Sequence, residues 1–203
     1  MKVKSIKIGD YEGMISSAPC NFVTGYYEST YTEYHPITEE YIIPRLPKNI
    51  NTIIDFGCAN CNNFIPFQNK IKDVKCVGFD LSAADQINFV CSKKNLTYYQ
   101  CSIQDFVKTV NNWGNKYEPI DWANSLVWTQ GTLLYVNKDG ETDYCDRFVQ
   151  TLLDLGCKNI FLHEYTEGWD NTIHGFVKFS EKYKKLFKIG EPDEMSHVMM
   201  EKK

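Results

Sequence analysis

The segment TIIDFGCANCNNF, residues 52–64, decides the fold of this chain. It begins with an apolar, β-branched run that is typical of a buried strand and that ends at an acid, Asp55, and a glycine, Gly57. Small residues follow, and they allow the backbone and a ligand to come close together. Doubly wound α/β folds bind nucleotide-like ligands at this succession of strand, loop and helix.

The same alternation continues along the chain from residue 38 onward, and it is the pattern of βα units around a mostly parallel sheet. We predict strands over residues 51–57, 74–82, 95–103, 120–128 and 158–167. We predict helices over residues 38–46, 62–72, 83–94, 106–113, 142–155 and 176–186. Two short strand-like runs near the C-terminus flank a polar turn at residues 191–193 and predict an antiparallel hairpin.

The predicted fold class is therefore α/β: a doubly wound, mostly parallel, seven-stranded Rossmann-like sheet with helices on both faces and a C-terminal hairpin. Residues 1–37 fit no βα unit and are rich in tyrosine, so we expect an aromatic N-terminal arm or lid before a domain at residues 38–203.

Composition narrows the class of function. The chain has 203 residues and a formal net charge of -4, and its lysines are scattered, which disfavours nucleic acid as a partner. Its N-terminus lacks the apolar run of a secretory signal, and no stretch is long enough to cross a membrane. We expect a single-domain cytoplasmic protein with a small-molecule partner, and a homodimer is allowed.

The eight cysteines include a C-x-x-C at Cys58 and Cys61. A zinc site would need further ligands, and the sequence has neither a second C-x-x-C nor a nearby histidine pair. We therefore predict reduced, buried thiols and no metal.

The loop after the first predicted strand departs from the dinucleotide-binding pattern. A pyrophosphate site reads G-x-G-x-x-G, whereas this loop has Gly57 but then Ala59 and Cys61. NAD binding is therefore disfavoured, and Asp55 suits a ligand that carries an ammonium group. Asp80 ends the next strand, 25 residues after Asp55, at a spacing comparable to that at which an acid meets ribose hydroxyls. The alternative for Asp80 is a helix cap.

The order of IIDFGCANC, VGFDLS, YYQCSIQDF and SLVWTQGTLLYV resembles that of class I S-adenosylmethionine-dependent methyltransferases of the type that modifies sugars and other small metabolites. The resemblance covers residues 38–203 and implies S-adenosylmethionine as cofactor and a small methyl acceptor. It implies that the methionine part contacts the loop after the first strand and the fourth strand, that Asp80 binds the ribose, and that Ser102 and Ile103 lie against adenine. The implied cofactor-binding residues are Asp55, Gly57, Cys58, Ala59, Asp80, Leu81, Ser102, Ile103, Leu126, Val127 and Trp128.

Candidates for the chemistry lie at the end of the fifth predicted strand, since ligands of open α/β sheets bind beyond the carboxyl ends of strands. His163 is a candidate general base, and strand alternation lets only one of His163 and Glu164 point inward. Tyr135 is a further candidate base. Aromatic and histidine side chains suited to an acceptor are Tyr27, Tyr31, Tyr34, His35, Trp169 and His174.

Two other classes of function stay open. The replaced glycines favour a non-catalytic binding module that keeps the fold. An NAD-dependent oxidoreductase would require a glycine-rich loop and a paired catalytic Tyr and Lys, and the sequence shows neither clearly.

Overall fold

The computed structural model describes residues 3–9, 36, 38–114, 117, 119–130, 132–133, 136, 144–164, 188–189 and 196–201. Within these ranges, eight strands form one sheet in the order β1-β4-β3-β2-β5-β6-β8-β7. The strands are β1 Lys4–Lys7, β2 Thr52–Phe56, β3 Lys75–Asp80, β4 Leu96–Gln100, β5 Ser125–Gln130, β6 Asn159–Glu164, β7 Lys188–Ile189 and β8 Ser196–Glu201. Strands β1 to β6 are parallel, and β8 is antiparallel to β6 and to β7.

The described α-helices are α1 Phe64–Lys70, α2 Ile103–Thr109 and α3 Tyr144–Asp154. A π-helical turn at Thr38–Ile42 continues into a 3₁₀ turn at Ile43–Arg45, which has Pro44 among its first residues. Further 3₁₀ turns are Ala84–Gln86, Val110–Asn112 and Trp122–Asn124. None of the helices in the described ranges is long and apolar enough to cross a membrane.

The sheet buries apolar side chains on both faces, as a doubly wound fold requires. One face packs against α2 and α3, and its rings stack across neighbouring strands, with Phe56 4.4 Å from Phe79 and Phe79 4.8 Å from Tyr99 between centroids. The other face packs against α1 and the turn that contains Ile42. The mostly parallel α/β fold predicted from the sequence is therefore confirmed.

The sequence did not predict β1. Residues 1–37 were expected to lie outside the sheet, but Lys4–Lys7 pairs with β4 as an edge strand, so the described sheet has eight strands instead of seven. The short run KSIK has little burial and therefore little apolar alternation to reveal it. Residues 190–195 and 176–186 lie outside the described residues, so the C-terminal hairpin turn and the last helix stay predictions.

The helix predicted over residues 83–94 is wrong. After the 3₁₀ turn the chain becomes extended at Ile87, with φ -102° and ψ 127°. The amide of Val90 donates to the Asn60 carbonyl at 3.1 Å, and the Gln68 side chain bonds to both backbone groups of Ser92 at 2.8 Å. These partners from α1 and its preceding loop replace the hydrogen bonds that a helix would have formed within itself.

Candidate functional site

The sheet has a switch point between β2 and β5, because the chain adds β3 and β4 on one side of β2 and β5 and β6 on the other. Open α/β sheets bind ligands at the carboxyl ends of the strands beside such a point. Gly57 follows β2 there with φ 77°. A Cβ on Gly57 would lie 2.7 Å from Cγ2 of Thr132, which follows β5, so the close approach of these two loops requires glycine.

The loop after β2 has positive φ angles at two residues that are not glycines. The amides of Gly57 and Cys58 both donate to the Phe79 carbonyl, at 2.7 and 3.1 Å, which anchors the loop on the end of β3. Ala59 and Cys61 have φ 47° and 65°, in the left-handed region that glycine adopts most easily. Ala59 and Cys61, which stand in this loop in place of glycines, are therefore its two non-glycine residues with positive φ.

Asp80 joins this loop to the end of β3. Its Oδ2 accepts a hydrogen bond from the Ala59 amide at 3.0 Å, and its Oδ1 accepts one from the Ser82 amide at 3.1 Å. Both oxygens of this carboxylate are therefore engaged by backbone amides, one from each of the two segments that meet here. The alternative interpretation of Asp80 as a helix cap is wrong, because the 3₁₀ turn that follows has Ala83 as its N-cap and no side-chain cap.

Asp55 lies deeper than Asp80. Its side chain is 1% exposed and accepts a hydrogen bond from Nδ2 of Asn63 at 3.3 Å. In register it stands between Gly78 of β3 and Trp128 of β5. The hydrogen bond with Asn63, the N-cap of α1, therefore links this buried acid to the start of that helix.

The end of β4 places Ser102 next to Asp80, because the Cys101 amide donates to the Asp80 carbonyl at 2.8 Å. Ser102 is the N-cap of α2, and its Oγ accepts the Asp105 amide at 2.9 Å. Leu81 is held nearby through its carbonyl, which accepts from Nε2 of Gln100 at 3.1 Å. Ile103 is largely buried in the core cluster that includes α2.

The three residues of β5 that the resemblance assigns to the cofactor do not share one environment. Leu126 and Trp128 belong to the core on the α1 side of the sheet, whereas Val127 belongs to the core on the α2 and α3 side. All three are buried, and Trp128 stacks on Phe161 of β6 with centroids 5.1 Å apart. A ligand on one face of the sheet would therefore meet at most Leu126 and Trp128.

The C-x-x-C thiols pack beneath the loop. Cys58 and Cys61 are buried, and a Cβ on Gly78 would lie 2.7 Å from the Cys58 sulfur and 3.4 Å from the Cys61 sulfur. Burial raises the pKa of Cys58 to about 12, against the opposing effect of a hydrogen bond with Cys61. Burial also raises the pKa of Cys61 well above its ordinary value. These are protonated thiols that fill the space over Gly78, and the described residues contain no group of three ligands suited to a metal ion.

Of the predicted catalytic residues, His163 and Glu164 are described only through their backbone. His163 and Glu164 end β6, and His163 is in register with Gln130 of β5 and His197 of β8. The other predicted acceptor or base residues lie outside the described residues: Tyr27, Tyr31, Tyr34, His35, Tyr135, Trp169 and His174.

Four residues of the site were not predicted from the sequence: Asn63, Ser82, Thr132 and Asp105. For Asp105 a signal existed, because S-I-Q-D at residues 102–105 has the spacing of a capping box with an acid in its last position. The other three contact Asp55, Asp80 and Gly57 because of how the loops fold, and the hydrophobic periodicity of the sequence does not predict loop conformation.

The fold has solved counterparts. A protein of Thermobifida fusca YX that is named as a methyltransferase is 15% identical, with a TM-score of 0.53, over 76% of this chain and 74% of that one. An O-methyltransferase family protein of Burkholderia thailandensis is 11% identical, with a TM-score of 0.51, over 90% of this chain and 55% of that one. No protein-family model and no curated protein matches the sequence. The chain thus has the fold of class I S-adenosylmethionine-dependent methyltransferases.

Proposed function

We propose that the protein is an S-adenosylmethionine-dependent methyltransferase that acts on a small polar metabolite, with a sugar hydroxyl as the favoured acceptor. The observation that carries the proposal is the Asp80 carboxylate at the end of β3, the strand next to the switch point, held by the amides of Ala59 and Ser82. This arrangement presents an oriented acid next to a tight loop, which suits a ribose and the chain attached to it.

The residues present fit this cofactor. Asp80 would hold the ribose hydroxyls, the loop of residues 57–61 would hold the methionine part above Asp55, and Ser102 would lie beside adenine. The crowding of Gly57 by Thr132 leaves no room for a side chain where the two loops meet. When bound, the cofactor supplies a methyl carbon activated by the sulfonium, so the protein's task is alignment and exclusion of water.

For the acceptor, we infer that His163 takes the hydroxyl proton, since it ends β6 on the β5 side of the switch point. An imidazole has a pKa near neutrality and can accept a proton at physiological pH. Glu164 and Tyr135 are the other candidates for this role. Tyr27, Tyr31, Tyr34 and His35 from the N-terminal arm, with Trp169 and His174, would surround the acceptor.

A second function is favoured by the strain in the loop. Ala59 and Cys61 occupy left-handed positions that glycine adopts more easily, and this replacement of glycines favours a non-catalytic binding module that keeps the fold. An NAD-dependent oxidoreductase has less support, because the loop lacks the glycines of a pyrophosphate site.

Calorimetric titration with S-adenosylhomocysteine, with NADH in parallel, separates these functions. We expect heat with S-adenosylhomocysteine and none with NADH. Absence of binding at concentrations of hundreds of micromolar would overturn the proposed cofactor. If S-adenosylhomocysteine binds, transfer of a labelled methyl group to a panel of sugars and other hydroxyl metabolites tests the enzyme, and a wholly negative panel favours the binding module.

A further inference from the structure

Five exposed lysines lie together at the amino ends of β3 and β4, although the sequence spreads them over residues 70–94. They come from three segments: the end of α1 with the turn after it, the start of β3, and the residues before β4. Strands β3 and β4 are paired neighbours, so their amino ends lie side by side. The fold therefore gathers on one surface charges that are scattered in the sequence. We call this surface the lysine patch, and its members are Lys70, Lys72, Lys75, Lys93 and Lys94.

Hydrogen bonds fix the three segments of the lysine patch relative to one another. The Gln68 side chain bonds to both backbone groups of Ser92 at 2.8 Å. The Cys76 amide donates to the Asn95 carbonyl at 2.9 Å, and Nδ2 of Asn95 donates to the Asp73 carbonyl at 3.3 Å. The backbone positions of the lysines are thus set before a partner binds, so binding has to order only their side chains.

The lysine patch has an excess of positive charge in a chain whose formal net charge is -4. Asp73 is the one acid in the segments that form it, and its Oδ1 pairs with Nζ of Lys94 at 2.9 Å. Among the residues that the structure describes, Lys70, Lys72 and Lys93 form no ion pair. Five lysines against one acid leave an exposed surface with a charge of +4, which attracts a polyanion.

The next acid along this edge of the sheet does not neutralise the lysine patch. Asp121 precedes β5, two strands from β3. Its pKa is lowered chiefly by hydrogen bonds from the Asn124 and Asn51 side chains, and Lys75 contributes last among the causes. Asp121 is therefore held by asparagines and marks the border of the lysine patch on the β5 side.

The composition of this surface favours phosphate groups over a protein or a membrane as partner. Contacts to a nucleic-acid backbone come from lysine, serine and asparagine side chains, and exposed Asn69, Ser92 and Asn95 lie among the lysines. Protein interfaces are depleted in lysine and rich in aromatic residues, and membrane-binding surfaces insert Trp, Phe or Leu. In the described part of the chain, the one exposed large hydrophobic residue is Tyr41, which lies in another segment. Because single strands stack their bases on exposed rings, a surface without them fits the backbone of a duplex.

We propose that the lysine patch binds the phosphate backbone of a nucleic-acid duplex, independently of its sequence. Lys75 begins β3 and Asp80 ends it, so the lysine patch and the candidate cofactor site lie at opposite edges of the sheet, about 17 Å apart along the strand. The duplex is therefore a second ligand and not the methyl acceptor. The proposal does not rest on the proposed function.

The test measures binding of a fluorescein-labelled DNA duplex of about 20 base pairs to the full chain, by fluorescence anisotropy between about 50 and 200 mM salt. We expect the logarithm of the association constant to fall linearly with the logarithm of the salt concentration, with a slope of about -3 to -4, because neutralisation of four phosphates releases their counterions. An RNA duplex should give a similar slope, and single-stranded DNA should bind more weakly because it finds no ring to stack on.

A double variant, Lys72→Gln with Lys93→Gln, removes two charges from different segments of the lysine patch. The slope should become shallower by about 2, and the affinity at about 50 mM salt should fall at least about ten-fold. Lys158→Gln is the matched control, because Lys158 is also exposed and precedes β6 at the same edge, three strands and about 14 Å from β3. It should bind within about two-fold of the native chain. Urea unfolding should show similar stability for all three proteins, since the changed side chains are exposed.

Three results would overturn the proposal. The first is a native chain that does not bind the duplex at hundreds of micromolar protein in low salt. The second is a Lys158→Gln variant that loses as much affinity as the double variant, which would assign the binding to the overall charge. The third is tighter binding to vesicles that contain phosphatidylserine, or to polyglutamate, than to the duplex, which would assign the lysine patch to a membrane or to an acidic protein.

Discussion

The backbone amide of Ala59 donates a hydrogen bond to Oδ2 of Asp80 at 3.0 Å, so the loop after β2 is tied to the acid that ends β3. The other carboxylate oxygen accepts from Ser82 at 3.1 Å. One side chain therefore fixes two segments around the switch point.

Removal of this carboxylate should affect affinity and stability together. In Asp80→Ala we expect binding of S-adenosylhomocysteine to weaken by about 1–3 kcal/mol, because ribose hydroxyls lose their acceptor. The free energy of unfolding should fall by about 1–2 kcal/mol, because two amides lose theirs. Calorimetry and urea unfolding measure the two effects. The exposed Asp85→Ala in the next turn should change neither, and an unaltered affinity in Asp80→Ala would remove Asp80 from the site.

Replacement of Ala59 by glycine should stabilise the protein. A left-handed conformation costs an alanine roughly 1–2 kcal/mol, whereas glycine adopts it readily and loses about 0.4–1 kcal/mol of that gain through the entropy of its unfolded state. We expect Ala59→Gly to raise the free energy of unfolding by about 0.5–1 kcal/mol, as measured by urea unfolding. Ala83→Gly is the matched control, since Ala83 has φ -69° and glycine there should destabilise. A lower free energy of unfolding in Ala59→Gly would show that the left-handed conformation of Ala59 costs the native protein no stability.

The sequence predicted the central strands because each is a short, mostly buried run of apolar or β-branched residues, as in Thr52–Phe56, where all five residues are buried. It did not predict β1, whose pattern of exposure contains no such signal. It also mistook residues 87–94 for a helix, because Ile87 and Cys91 have helical spacing while the actual hydrogen bonds go to Asn60 and Gln68. Local pattern could not report partners that lie this far apart in sequence.

For the candidate site, the sequence singled out two acids at strand ends but not the contacts that hold them. Asp55 lies in β2, beside the switch point, and Asp80 ends the neighbouring strand β3. The left-handed backbone at Ala59 and Cys61 was not predictable, because alanine and cysteine rarely adopt positive φ and therefore indicate a different loop conformation from that of glycine. Tertiary contacts on β3 impose that conformation despite its local cost.

Gly78 and Cys58 should behave as a coupled pair. A Cβ on Gly78 would lie 2.7 Å from the Cys58 sulfur, so Gly78→Ala should lower the free energy of unfolding by about 1–3 kcal/mol through overpacking. Cys58→Ala removes the sulfur and makes room for the added methyl group. In urea unfolding, the double variant should therefore be more stable than the sum of the two single changes predicts, by about 0.5–2 kcal/mol.

The result that would contradict this coupling is a double variant whose loss of stability equals the sum of the losses in Gly78→Ala and Cys58→Ala. It would mean that the backbone of β3 moves away from the thiols, in which case the loop after β2 is not fixed by the packing of Cys58 on Gly78.

The buried thiols should make stability fall in alkaline solution. Burial raises the pKa of Cys58 to about 12 and that of Cys157 to about 11. An unfolded cysteine ionises near pH 8.5, so above that pH the unfolded state has lost a proton that the folded state keeps. The stabilisation is therefore complete below about pH 8.5 and is lost as pH rises toward the folded-state pKa, at about 1.4 kcal/mol per pH unit for each such thiol. Urea unfolding of the native chain and of Cys58→Ala at pH 8 and pH 10 measures this loss. The free energy of unfolding should fall less between these pH values in Cys58→Ala than in the native chain. An equal fall in both would show that Cys58 ionises as readily in the folded chain as in the unfolded one.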